Sequence, residues 1–83
     1  MRYWLVEAND RSGAVWGFLV GAEQVSARDV AERIAALGRA VEISGQVVDA
    51  RLLDLKSLRV RYDATERHKG AARRWSLEGE KVD

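Results

Sequence analysis

The sequence predicts an α+β domain: a small single-layer antiparallel sheet in β-β-α-β-β-β order, with one main amphipathic helix packed on one face. Three observations predict it. Residues 25–38, VSARDVAERIAALG, carry every local mark of a capped amphipathic helix. Two aromatic and aliphatic runs precede it, residues 2–8 and 14–22, on either side of the turn cluster NDRSG. After it, residues 58–63 and 73–78 alternate apolar and polar with the period of a strand.

Composition bounds the reading. The 83 residues make a single domain, 1–83, with a tail at 79–83 expected to fray. A chain that is 47% apolar and 33% charged is globular rather than disordered. The absence of cysteine removes disulfides and thiolate metal sites and fits a reducing compartment. No apolar run reaches the length of a membrane span, and MRYWLVEAND lacks the apolar stretch of a signal peptide, so a cytoplasmic setting without membrane contact is expected.

The first two runs are expected to pair as a hairpin. With Ala8 opposite Ala14, Val6 faces Trp16 and Trp4 faces Phe18, the richer face, which is assigned to the helix. On the other face Glu7 meets Val15, Leu5 meets Gly17 and Tyr3 meets Leu19, and Leu5 would cover the bare backbone of Gly17. In the helix, Ser26 is an N-cap with Asp29 three residues on, and Val25 and Val30 form a hydrophobic staple. Val30, Ile34, Leu37 and Val41 fall on one stripe, and Gly38 supplies the left-handed end. Residues 39–44 read as a third strand. Residues 46–57, QVVDARLLDLKS, match neither helix nor strand period. In 58–63 Leu58, Val60 and Tyr62 point inward, and Arg59 and Arg61 outward. Residues 64–72 connect to a last strand at 73–78, and all three tryptophans read as core.

Catalytic signals are thin. His68 is the sole histidine and sits in the basic loop ERHKG, there is no cysteine, and no phosphate-loop glycine pattern occurs. The expectation is no enzyme, no cofactor and no metal. Two surfaces remain. Tyr3, Leu5, Val15 and Leu19 make the second hairpin face more apolar than a solvated face needs to be. That predicts a self-association or partner face, unless the C-terminal segment folds over it. Charge supplies the other. Residues 1–58 carry 7 Lys/Arg and 8 Asp/Glu, whereas 59–74 carry 6 and 2. Arg59, Arg61, Arg67, Lys69, Arg73 and Arg74 would converge if 58–63 and 73–78 pair, giving a patch for an anionic partner.

Residues 3–43 resemble the opening segment of type II secretion and type IV pilus inner-membrane F/C proteins. The likeness rests on Ala8, Asp10, Gly13, Gly17, Ala22, Ala31, Leu37 and Gly38, in a hairpin followed by an alanine-rich helix and a glycine. It covers half the chain, which lacks those proteins' membrane segments. Size and β-β-α-β-β order are similar to some phage anti-CRISPR proteins, a likeness without diagnostic residues that implies a stoichiometric inhibitor from a mobile element. The functional expectation is a non-enzymatic binding module that joins a protein partner or its own copy, as a homo-oligomer or an inhibitor. The alternative is a nucleic-acid-binding protein that uses the basic patch.

Overall fold

A computed structural model describes residues 2–68. The expected strand at 73–78, Trp75 and the tail at 79–83 lie outside the described residues. Strands β1 (Tyr3–Asp10) and β2 (Val15–Gly21) form the expected antiparallel hairpin. Its register differs from the expected one by two residues: Val6 faces Phe18, Ala8 faces Trp16 and Leu5 faces Leu19. The turn explains the shift. Asp10 stays in the strand, its N–H donating to the Ala14 carbonyl at 2.8 Å, so only Arg11, Ser12 and Gly13 form the loop. Gly13 takes φ +90°, as a three-residue hairpin loop requires. A shift of two preserves both faces, so every side chain keeps its predicted side. Leu5 still lies over Gly17, now diagonally: its Cδ1 is 3.4 Å from where a Cβ on Gly17 would stand.

Helix α1 (Ala27–Leu37) begins and ends where expected. Ser26 Oγ accepts from Asp29 N–H at 3.1 Å, and Gly38, at φ +76°, donates its N–H to Ile34 O at 2.9 Å. Val30 and Ile34 are fully buried, while Leu37, at the last turn, is 38% exposed. The stripe thus faces the core only through its first two members; Val41 is buried from the strand that comes next.

That strand, β3 (Arg39–Val41), pairs with β4 (Val47–Asp49). A 3₁₀ turn (Ala50–Leu52) then leads into the long β5 (Leu53–Asp63). Residues 46–57 therefore hold three elements in twelve positions, so no single period fits them. The α+β fold is the expected one, but the strands divide into two ladders: β2-β1-β5, with β1 central, and the β3-β4 hairpin. They meet at the edge of β2, through a Phe18–Glu42 bridge and an Ile43 N–H to Gly17 O bond of 2.8 Å.

β5 does not keep a simple alternation. Its register against β1 slips between Leu5 and Val6, with Val60 opposite Val6 and Tyr62 opposite Leu5. Arg61 is the extra residue of a bulge, and one extra residue exchanges the faces of all later residues in the strand. Val60 accordingly packs on the main core and Tyr62 on the opposite side, a correction to the expectation that both point the same way. The main core joins Val6, Ala8, Phe18 and Val20 of the hairpin to Val30 and Ile34 of α1, with Ala40, Val48, Ala50, Leu53 and Leu58 completing it. Trp16 packs against it as expected. Trp4 is half-buried and donates Nε1–H to Ala22 O at 2.9 Å.

Candidate interaction surface

The sheet face turned away from α1 holds most of the residues that the sequence singled out. Its upper half is a small second core of Leu5, Leu19 and Ala64, with Tyr3, Ile43 and Tyr62 packed on it. Leu5 is 8% exposed and Leu19 5%. Of the four residues expected to form a self-association face, Leu5 and Leu19 therefore offer no free area and Tyr3 is half-buried. Val15, 56% exposed, is open.

The lower half of that face is a charge network. Glu7 Oε1 lies 3.5 Å from Arg59 Nη2 and 3.4 Å from Arg61 Nε. Arg59 also donates through Nη1 to Asn9 Oδ1 at 3.0 Å and to Ser57 O at 3.1 Å. Arg67 places its guanidinium over the Tyr62 ring, 5.3 Å from the centroid, and the Tyr62 hydroxyl is 3.1 Å from His68 Nε2. So Arg59, Arg61 and Arg67 do gather on one side of the molecule, with protein groups already on them. Lys69, Arg73 and Arg74 lie outside the described residues.

The acids are engaged in a second, recurrent way. Asp10, Glu42, Asp49, Asp54 and Asp63 each accept the backbone N–H two residues further on, closing a local turn. Asp-Arg-Ser-Gly at 10–13 and Glu-Ile-Ser-Gly at 42–45 are two versions of one turn, in which the serine hydroxyl also binds the acid. Asp10 is held most fully: Oδ1 accepts from Ser12 Oγ, Ser12 N and Ala14 N, and Oδ2 accepts from Trp16 Nε1 at 2.9 Å. The Ser12 hydroxyl, then Trp16, hold its carboxyl down to about 2. The Arg51 side chain does the same for Asp49, also to about 2. Thr65, more than Arg2, lowers Asp63.

The surface that the sequence did not announce lies at the turn end of the sheet. The β1–β2 turn, the 3₁₀ turn and the start of β5 enclose an open groove of about 780 Å³. Arg11 fastens the two turns: its N–H donates to Leu52 O at 3.1 Å and its Nε to Arg51 O at 3.2 Å. Leu55, half-buried, gives the groove its apolar side, with Ala50 and Leu53 buried beneath, and Arg11, Arg51 and Lys56 stand around it together with Asp10 and Asp54. Leu52, between two lining residues, is 58% exposed. Arg51 is bound to Asp49 through Nη2 at 2.8 Å. The Lys56 ammonium and the Arg11 Nη groups have no partner among the described residues. The signal that could have found this place was the order Asp-Ala-Arg-Leu-Leu-Asp-Leu-Lys at 49–56, where four apolar residues meet two cations in a stretch without a period.

Among the described residues no group of three or more His, Cys, Asp or Glu could hold a metal ion, and no helix is long and apolar enough to cross a membrane. Comparison with protein-family models, curated proteins and solved structures finds no match. The surface is therefore read from its own geometry.

Proposed function

We propose that the chain is a small protein-binding module of the cytoplasm, and that its partner seats on the turn end of the sheet rather than on the basic outer face. One observation supports this above the others. Arg59 and Arg61 share Glu7, whereas Leu52, Lys56 and the Arg11 Nη groups face outward without partners among the described residues. Phosphate recognition needs cations that are free to replace counterions. The chain carries 14 Lys/Arg against 13 Asp/Glu, a net charge of +1, which gives nucleic acid little net attraction.

The test is anisotropy of labelled duplex DNA and single-stranded RNA, titrated with the full chain and read beside the solution mass by light scattering. The reading expects nucleic-acid binding no tighter than about 1 μM at roughly 0.15 M salt, the non-specific range. A tighter complex that Arg59→Gln and Arg61→Gln both abolish overturns it. Should the mass exceed a monomer, the variants locate the contact. Dissociation by Leu52→Glu makes a second copy the partner at the turn end. Dissociation by Val15→Glu alone moves the interface to the outer face and overturns the placement.

A further inference from the structure

The groups left over at the turn end are of both signs, and that bears on which partner fits, an inference that rests on the seat proposed above. Asp54 and Lys56 stand two residues apart on β5; both are exposed and both line the groove. Asp54 Oδ1 accepts the Lys56 backbone N–H at 3.1 Å, and Oδ2 has no partner among the described residues. The Lys56 ammonium has none there either, so the two side chains do not neutralise each other. The neighbouring acids are taken: both Asp10 oxygens accept within the hairpin, and Asp49 is bound to Arg51. Leu52, beside this pair of charges in the chain, is 58% exposed. The turn end thus offers one open carboxylate oxygen, one open ammonium and one open leucine. A charge buried in a contact needs an opposite charge across it.

We infer that the seat receives a second copy of this chain, turned about a twofold axis. In such a contact each residue meets the counterpart of the residue that meets it. Asp54 then faces the second copy's Lys56, and Lys56 faces its Asp54, so one pair of residues supplies two ion pairs. A partner of one sign satisfies only half of the seat: an acidic segment sets like charge against Asp54, a basic one sets it against Lys56, and an apolar one desolvates both. The net charge of +1 raises no long-range barrier between copies. Leu52 gives the contact its apolar part. The outer face has no such pair to offer, because Glu7 is shared by Arg59 and Arg61. Eight residues line the groove, against about 20–30 a side in a standard interface, so the dimer is weak, with a dissociation constant of about 0.1 mM.

The experiment is sedimentation equilibrium of the full chain from about 10 μM to about 2 mM, at roughly 0.05 M salt so that exposed ion pairs are little screened. Wild type is expected to pass from monomer to dimer across that range. Asp54→Lys and Lys56→Asp each set like charges against one another, and each should weaken dimerisation about tenfold or more. An equimolar mixture of the two variants should dimerise again, because each supplies the charge that the other lacks. Mixing cannot restore a chain that has failed to fold, so recovery reads the contact itself. A mixture that stays monomeric overturns the inference. So does a dimer that Leu52→Glu dissociates but both charge reversals leave at wild-type strength, although the seat then stands. Wild type that remains monomeric to about 2 mM overturns the second copy and leaves the seat to a foreign partner. A dimer that Val15→Glu alone dissociates overturns the seat and the inference together.

Discussion

Two groups of three cations stand on this small protein in opposite circumstances. On the outer sheet face Arg59 and Arg61 converge on Glu7, which lies on the neighbouring strand, and Arg67 stacks on Tyr62. At the turn end Arg51 is tied to Asp49, but Arg11 is only partly engaged and the Lys56 ammonium has no described partner. The first group is dense in sequence and the second is scattered over residues 11–56. Density made the first look functional. Availability is decided by partners that arrive from elsewhere in the chain, and it favours the second. The apolar residues divide in the same way: Leu5 and Leu19 lie under Tyr62 and Ala64, while Leu52 is left open.

The largest expected effect tests that division. Leu5→Ala and Leu19→Ala should each lower the unfolding free energy by about 2–3 kcal/mol in urea titration, as for buried leucines. Leu52→Ala should stay within about 0.5 kcal/mol, as for an exposed site. If all three cost little, the second core is not a core and the outer face returns as a binding surface.

Asp10 comes next, because it shapes the hairpin turn that walls the groove. Its folded pKa, about 2, lies below the ordinary 3.8, so its stabilisation is fully present above about pH 4 and is lost as pH falls through about 2. Trp16 reports on it directly through the Nε1–Oδ2 bond. Tryptophan fluorescence should hold steady from pH 7 to about 3 and change near 2. In Asp10→Asn the wild-type step near 2 should be missing and the thermal midpoint lower. A fluorescence step near pH 4 instead would mean that the turn does not hold the carboxylate in solution.

Glu7→Gln should act oppositely on the two properties of the outer face. Exposed or half-exposed ion pairs are worth at most about 1 kcal/mol each, so stability should fall only slightly. Arg61, released, and Arg59, freed of its ion pair while still held by Asn9 and Ser57, should bind duplex DNA more tightly than wild type at low salt, with a steeper salt dependence. No gain in DNA binding would show that something other than Glu7 limits the patch.

How much of this was legible in the sequence depended on whether the deciding interaction was local. The helix, both its caps and the inner and outer sides of the β1–β2 hairpin arise from patterns within a few residues, and these match the expectation. The hairpin register missed by two because Asp10 prefers to cap its turn from inside the strand, which alternation cannot show. The faces of Val60 and Tyr62 were misread because the Arg61 bulge is set by pairing with β1, more than fifty residues away. Residues 46–57 stayed unread because a strand, a 3₁₀ turn and the start of another strand share them, and the groove is built from that same stretch. Tyr3, Leu5, Val15 and Leu19 were correctly placed on one face; the cover over two of them arrives from residues 43, 62 and 64.

The smallest expected effect on the fold is the most informative about the surface. Lys56 is exposed on β5, and its backbone N–H bonds the Asp54 carboxylate, which any residue but proline would satisfy equally. Lys56→Gln should therefore leave the unfolding free energy within about 0.5 kcal/mol of wild type, the scatter of surface substitutions. A loss of about 1 kcal/mol or more would mean that the ammonium has an intramolecular partner, and the contrast between the two groups of cations would collapse. A silent substitution leaves its positive charge without a task inside the fold. Burial of such a lysine against a partner needs an opposite charge, because desolvating an unpaired ammonium costs more than the contact returns.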